Sequence, residues 1–287
     1  MSMSKVETDQ AAAPSEHYTR WLRLEKRDRA IVAGARILLL AILLLLWEVL
    51  PRTHLINPML TSYPSAIVPA FVELLRPTAY SPGILVHTWA TVFATLIGFS
   101  AAMLFGTTIA IVLWWWKPLS RVIEPYLVVA NAIPKTALVP LFYIWLGAAL
   151  SIYGMSLAIS LFVTIIMILN AFEAADPNKI KLARTFGATK GQILIKVVLP
   201  GSVTAMIATL KVTAGLSLVG VVVGEFQSAN RGLGFLIQYG SQVYKMNIVM
   251  TAISILVIVS SLFYFAIARL DTAVKRRRGA DDRLGQA

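Results

Sequence analysis

The sequence contains no cysteine and only three histidines, which are His17, His54 and His87. The absence of cysteine excludes disulfide bonds, zinc sites with cysteine ligands and thiol nucleophiles. Three histidines so far apart in the chain do not indicate a metal cluster. The phosphate-binding motif G-x-x-x-x-G-K-[ST] is also missing, so the sequence gives no sign of an ATP site. We therefore predict no catalytic residues, no metal site and no cofactor bound by this chain.

Charged residues are also few in this sequence. Charged residues make up 14% of the chain and hydrophobic residues 57%, and the mean hydropathy is +0.73. Soluble domains carry about 25% charged residues, so this composition is typical of a membrane protein. A formal net charge of +12 is compatible with a nucleic-acid partner, but membrane proteins also concentrate Lys and Arg beside their cytoplasmic ends. We adopt the second explanation and predict no nucleic-acid partner.

Long apolar runs occupy the chain between two polar ends. A helix needs roughly 20 apolar residues to cross a bilayer core of about 30 Å. By this criterion we predict six membrane spans, at about 33–50, 89–115, 123–147, 149–171, 203–224 and 248–269. The predicted fold is therefore an all-α, polytopic membrane protein. Its predicted parts are a basic cytoplasmic arm at 1–30, a transmembrane domain at 31–272 and a basic cytoplasmic tail at 273–287.

The distribution of Lys and Arg predicts the orientation. With the N-terminus inside, the inner segments hold 20 of the 26 basic residues, and the outer segments hold four. Positive charge is enriched on the cytoplasmic side of membrane proteins, so both termini are predicted to be cytoplasmic. The basic run at 275–278 is expected to be attracted to anionic membrane lipid.

A charged segment at 172–202 interrupts the apolar runs on the predicted cytoplasmic side. Asp176 and Pro177 are typical of a helix start, and Gly187 suits the left-handed turn that ends a helix. Thr189 with Gln192 has the spacing of a capping box. The segment is therefore predicted to be a short helix, a glycine turn and a second helix.

The first of these helices is predicted to be amphipathic, with Ile180, Ala183 and Phe186 on one face. The second helix is predicted to end before Pro200. Two interpretations of the first helix stay open at this point. It can pack on its own bundle, or it can lie in a groove of a soluble partner.

Five residues in this segment have the spacing of a known motif: Ala183, Gly187, Val197, Leu199 and Pro200. The spacing resembles E-A-A-x3-G-x9-I-x-L-P, the cytoplasmic motif of the inner-membrane permeases of binding-protein-dependent ABC importers. In this chain Val197 replaces the isoleucine. Lys181 and Leu182 stand at the first two motif positions, where the family pattern has Glu and Ala.

Other stretches are similar to the nitrate/sulfonate/taurine-type branch of that family. They are YPSAIVPAFVELL at 63–75, NAIPKTALVPLFYIWLG at 131–147, TLKVTAGLSLVGVVVGEF at 209–226 and RGLGFLI at 231–237. The resemblance implies a permease bundle of the type I ABC importer kind in the bacterial inner membrane. It also implies a small solute such as nitrate, a sulfonate, taurine or a vitamin precursor.

The resemblance further implies three kinds of protein partner. These are a second permease copy, an extracytoplasmic solute-binding protein and a cytoplasmic ATP-binding subunit that carries the ATP and Mg. The segment 176–200 would then couple this chain to the ATPase. The implied coupling residues are Ile180, Lys181, Leu182, Ala183, Arg184, Phe186, Gly187, Val197, Leu199 and Pro200.

Several residues within the predicted spans have both a functional and a structural interpretation. Lys135 beside Pro134 either attracts an anionic solute along the path or bonds to carbonyls that the proline leaves free. Glu225 either forms part of an outer gate or caps a helix in water. Gly220 and Gly224 form a small-xxx-small pair that permits close helix packing.

Two other function classes fit the sequence less well than an importer permease. An ion-coupled secondary transporter usually needs buried acids, but Glu48, Glu124 and Glu225 all lie near predicted span ends. An intramembrane protease needs paired catalytic groups, and neither a Ser/His pair nor an Asp pair is placed for that role. The secondary transporter is kept as the alternative.

Overall fold

The structure, a computed structural model, describes residues 16–77, 82–228 and 230–284, and every regular element in those residues is helical. The predicted all-α class is therefore confirmed. The α-helices are α1 (Glu16–Arg52), α2 (Pro58–Thr61), α3 (Pro64–Leu75), α4 (Ile84–Trp115), α5 (Lys117–Ala132), α6 (Val139–Glu173), α7 (Pro177–Thr185), α8 (Lys190–Ile193), α9 (Leu199–Ser228), α10 (Leu233–Gln242) and α11 (Met246–Leu284). The chain forms two units, Met1–Pro64 and Ser65–Ala287.

The first unit is mainly the long helix α1. Its segment Arg27–Arg52 is long and apolar enough to cross a membrane, and its leucine-rich side chains are exposed, as expected of a helix that faces lipid. Of the basic arm predicted at 1–30, residues 1–15 lie outside the described residues. The rest of the arm, from Glu16 onward, is helical and continuous with the span.

Five helical segments in the described residues are long and apolar enough to be membrane spans, whereas the sequence predicts six. The predicted span at 123–147 is not one continuous helix. Pro134 forces Ile133 into an extended conformation, so α5 ends at Ala132. A short 3₁₀ helix, Lys135–Leu138, follows, and Gly147 (φ +73°) interrupts the helical geometry of α6. The hydropathy of this stretch is that of a span, but its backbone is broken twice.

The core of the second unit is formed by α4, α6 and α9, which pack closely through small side chains. Gly106 of α4 faces Thr164 of α6, where an added Cβ would lie 2.7 Å from the Thr164 Cγ2. Small residues recur on α4 at every fourth position from 94 to 110. This spacing keeps them on one helical face, so the two helix backbones can approach each other.

Buried hydroxyl groups connect α6 to α9. The Ser156 hydroxyl donates to the backbone carbonyl of Ser217 (3.1 Å), and the Thr164 and Thr213 hydroxyls are hydrogen-bonded to each other (2.8 Å). Ser202 of α9 donates to the carbonyl of Ala171 (2.8 Å). Close packing and interhelical hydrogen bonds together hold a bundle whose apolar surfaces gain little by leaving lipid.

Candidate functional site

The loop between α6 and α9 has the local structure that its capping residues predict. The Asp176 carboxylate accepts the Asn178 N–H (2.8 Å) and so caps α7. Gly187 adopts φ +76°, and its N–H donates to the Arg184 carbonyl (2.9 Å), which closes the helix end. The predicted helix start and glycine turn are confirmed.

The predicted capping box is also present at the start of α8. The Gln192 N–H donates to the Thr189 hydroxyl (3.3 Å), and the Thr189 N–H donates to the Gln192 side-chain oxygen (2.8 Å). Two backbone donors that a helix start leaves unpaired are therefore satisfied reciprocally. The cap fixes the point at which the loop turns back towards α9.

The expected helix end before Pro200 is wrong. After α8 the chain continues through a π-helical turn, Leu194–Val198, directly into α9, and Pro200 lies inside the helix. A proline inside an α-helix lacks an N–H donor and its ring clashes with the carbonyl four residues earlier. We attribute the wide turn to this clash, because it lies immediately before the proline. Lys190–Gln227 is thus a single helical segment of 38 residues.

The helix α7 presents two different apolar faces. Ile180 and Ala183 pack against the buried cluster that contains Phe172 and Ile193, so this face is directed at the bundle. Phe186 is 82% exposed and Leu182 is 58% exposed. Leu182 and Phe186 are four residues apart, which places them together on the opposite side of the helix. The predicted single face of Ile180, Ala183 and Phe186 is therefore divided.

The remaining residues of the predicted motif divide in the same way. Val197 and Leu199 pack against the buried cluster, whereas Lys181 and Arg184 are exposed on α7. One side of the segment is thus part of the core. The exposed apolar pair Leu182 and Phe186 lies on the other side, whereas the exposed Arg184, four residues after Ile180, borders the side that faces the bundle.

Lys135 lies at the break between α5 and α6. Its Nζ donates to the Asn131 carbonyl (2.6 Å) and to the Asn131 Oδ1 (3.3 Å), and it lies 5.9 Å from the centre of the Phe162 ring. Because Pro134 ends α5, carbonyls near the helix end lack a backbone donor. The Lys135 amine donates to one of them, the Asn131 carbonyl. This contact agrees with the structural interpretation, in which Lys135 bonds to carbonyls that the proline leaves free.

Glu225 is the centre of a buried polar junction, not a group exposed to water. Its carboxylate, in a residue only 2% exposed, accepts the Gly234 N–H (2.8 Å) at the start of α10. It also accepts the hydroxyl of Thr91 from α4, at 2.8 and 3.0 Å. Of the two interpretations of Glu225, the helix cap in water is wrong, because the carboxylate caps α10 inside the protein and joins α4, α9 and α10.

Thr91 makes a second contact in this junction, and the buried His87 completes it. The Thr91 hydroxyl accepts the Leu233 N–H (2.8 Å), and the Nδ1 of His87 accepts the Gly232 N–H (3.0 Å). The sequence alone did not indicate that His87 and Thr91 take part in this junction. A histidine within an apolar run was the only sequence signal, and its partner is 145 positions away.

Gly220 and Gly224 lie where α9 crosses α6 within the same chain. A Cβ added at Gly220 would lie 2.5 Å from the Ser156 Cα, and one at Gly224 would lie 2.8 Å from the Ile152 Cα. Sequence analysis also missed an ion pair elsewhere on α9, between Lys211 and Asp271 of α11 (2.9 Å). In the residues that the structure describes, no three His, Asp or Glu side chains are grouped to hold a metal ion.

Comparison with known proteins identifies the family. A probable ABC transporter permease protein of Haemophilus influenzae is 29% identical over 80% of this chain and 92% of that protein. The taurine transport system permease protein of Escherichia coli is 24% identical over 80% of this chain and 85% of its own length. The structure of the inward-facing MetNI methionine ABC transporter matches with a TM-score of 0.59 at 21% identity, covering 71% of this chain and 98% of the matched chain.

These matches confirm the predicted permease fold and its resemblance to the taurine-type branch. The family model of the binding-protein-dependent transport system inner membrane component matches residues 102–279, which include α7, the Gly187 turn and Glu225 itself. This match covers more than half of the chain. The chain therefore belongs to the binding-protein-dependent transport system inner membrane components, the permease subunits of ABC importers.

Proposed function

We propose that this chain forms the translocation path for a small solute and is driven by a separate ATPase that docks on α7. The exposed pair Leu182 and Phe186 is the observation that carries the proposal. Phe186 is 82% exposed and Leu182 is 58% exposed on a short, capped helix, so the two together offer an apolar surface that a partner can bury. A helix with such a face fits an apolar groove of a soluble partner.

The connections of α7 support a mechanical role. It begins four residues after α6 ends, and its C-terminus leads through Gly187 into α8 and α9. Its inner face, through Ile180, packs on the core. A partner that displaces α7 would therefore displace the ends of two spans, and the bundle would be biased between inward-facing and outward-facing states.

The proposed assembly is that of the family. ATP and Mg would be bound by the cytoplasmic ATP-binding subunit, a solute-binding protein would deliver the solute from outside, and a second copy of this chain would complete the path. The excess of Lys and Arg at the predicted inner segments supports cytoplasmic termini in a bacterial inner membrane. The taurine transport relative supports a small sulfonate as the solute. Nitrate and vitamin precursors rest on the sequence resemblance.

Replacing both Leu182 and Phe186 by alanine is expected to reduce co-purification of the ATP-binding subunit by at least about tenfold, because exposed aromatic anchors contribute most of the affinity of such interfaces. The measurement is mass spectrometry of the complex purified from membranes, where the partner is recognised by its own P-loop sequence. ATP-dependent uptake should fall in parallel.

The matched control is Ile195→Ala. Ile195 is 65% exposed but lies on the π-helical turn and not on α7. This variant should keep the ATP-binding subunit and its uptake. Unchanged co-purification in the Leu182/Phe186 double variant, with normal membrane abundance, would refute docking on this face.

For Lys135 we propose a structural role at the helix break beside the path. Lys135→Gln keeps an N–H donor for the Asn131 carbonyl but removes the charge, so uptake is expected to stay within about twofold of the parent. Lys135→Met removes the donor, so the Asn131 carbonyl loses this hydrogen bond, which costs about 1 kcal/mol of stability. Solute uptake and thermal stability in detergent are the measurements. A large loss of uptake in Lys135→Gln would instead indicate that the charge attracts the solute.

A further inference from the structure

A positively charged cavity lies where the ends of α4 and α6 meet α7 and α8. Its volume is about 270 Å³, and its lining includes the basic side chains of Lys117, Arg184 and Lys190. The only carboxylate in the lining is that of Glu173, which is paired with the Lys117 Nζ at 2.6 Å. Three cations against one carboxylate leave the cavity with an excess of two positive charges.

The part of the chain that the structure describes supplies no further carboxylate to pair with this excess charge. Within residues 16–77, 82–228 and 230–284, no carboxylate lies at ion-pair distance from Arg184 or Lys190. The side chains of Lys117 and Glu173 are 54% and 39% exposed, so the cavity is open to an outside ligand. An anionic group with several oxygens would satisfy the donors that Arg and Lys present here.

An apolar groove on α4 adjoins this cavity. The groove has a volume of about 490 Å³ and is lined by Ile111, Val112, Trp115, Trp116 and Lys190. Trp115 and Lys190 line both the cavity and the groove. The groove lies at the end of the apolar span Ile84–Trp115, where tryptophan rings are typically placed at the level of the lipid headgroups.

We propose that the cavity and the groove together bind one anionic phospholipid. The phosphate is held by Lys190, Arg184 and Lys117, and an acyl chain lies along α4 against Trp115 and Trp116. Basic pockets between membrane helices recognise anionic headgroups in this way. A free phosphate would satisfy the cavity alone, but the continuous apolar groove favours a ligand that has an acyl chain.

This position gives the lipid a connection to α7. Arg184 belongs to α7, whereas Lys190 begins α8 and Lys117 begins α5. A single headgroup that contacts all three would tie α7 to the membrane end of the bundle. Anionic lipid is therefore expected to restrict the movement of α7 as well as to occupy the cavity.

The test is native mass spectrometry of the full chain in detergent, titrated with dioleoyl-phosphatidylglycerol, with dioleoyl-phosphatidylcholine and with inorganic phosphate. The parent chain is expected to retain phosphatidylglycerol at least fivefold more tightly than phosphatidylcholine, because each basic side chain adds attraction for an anionic lipid. Lys190→Gln is expected to lower the retention of phosphatidylglycerol about fivefold, and Glu173→Gln is expected to raise it.

The matched control is Lys179→Gln, which removes the same charge from α7 at an exposed position that does not line the cavity. It should bind phosphatidylglycerol like the parent. Equal retention of both lipids, or equal losses in Lys179→Gln and Lys190→Gln, would overturn the proposal. Competition by inorganic phosphate as effective as that by phosphatidylglycerol would also overturn it, because the acyl chain would then contribute nothing.

The apolar half of the site is tested by quenching. Phosphatidylglycerol with brominated acyl chains is expected to quench the parent fluorescence more than that of Trp115→Phe, because Trp115 lies on the groove. The same brominated chains on phosphatidylcholine should show a smaller difference. No difference between parent and Trp115→Phe with the anionic lipid would place its acyl chain elsewhere and contradict the proposal.

Discussion

Gly220→Ala is expected to lower the stability of the bundle by about 2–3 kcal/mol, which is large for the addition of one methyl group. The new Cβ would lie 2.5 Å from the Ser156 Cα and 3.0 Å from the Met155 carbonyl oxygen. These are backbone atoms of α6, so no side chain can rotate to make room. The two helices must move apart, and the Ser156 hydroxyl, which donates to the Ser217 carbonyl, would be separated from its acceptor.

The measurement is the temperature at which the detergent-purified protein loses its monodisperse peak on size exclusion. Gly215→Ala is the matched control, because Gly215 lies on the same helix and a Cβ there would meet no atom within 4 Å. The control should be at least as stable as the parent, since alanine is the better helix former. Equal thermal stability of the two variants would show that α6 and α9 are less closely packed than the structure has them.

Glu225→Ala is expected to cost about 2–3 kcal/mol and to release α10 from α4 and α9, because it leaves buried donors unpaired. The carboxylate accepts from Gly234 and from Thr91, and Thr91 in turn accepts from Leu233. Loss of the acceptor would therefore weaken the cap of α10 and the link to α4 together. Hydrogen exchange at the Leu233 and Gly234 amides should become faster, while exchange in α6 should change less.

Two companion variants test this explanation. Gln227→Ala changes an exposed side chain on the same helix and should leave hydrogen exchange of α10 unaltered. Gly232→Ala should resemble Glu225→Ala, because Gly232 adopts φ +120° and an added Cβ would overlap the Glu225 carboxylate. Parent-like exchange in both Glu225→Ala and Gly232→Ala would contradict the role of this junction.

The parts of the fold that sequence predicts well are those fixed by neighbouring residues. Asp176 caps α7 through a residue two positions away, and Thr189 pairs with Gln192 three positions away. The turn at Gly187 needs only a positive φ. Interactions of this range are visible in a single sequence, because the partners are separated by less than one turn of helix.

Other features depend on contacts that no local pattern contains. The apolar composition of 123–147 predicts a span. Hydropathy depends only on side-chain polarity, however, so it does not reveal that the backbone is broken at Pro134 and Gly147. Thr91 meets Glu225 across 134 positions, which only the packing of α4 on α9 brings about. The spacing of Phe186 from Ile180 predicts one shared face, but the packing of α7 on the bundle covers Ile180 and leaves Phe186 exposed.

The length of α9 has a consequence for communication across the membrane. Its 30 residues give a rod about 45 Å long, with Pro200 and the wide turn near one end and Glu225 near the other. The close crossing at Gly220 and Gly224 holds this rod against α6 nearer the Glu225 end. Because Thr213 and Ser202 also hold α9 to α6, a displacement at the Pro200 end is expected to be passed along the whole rod to the Glu225 end.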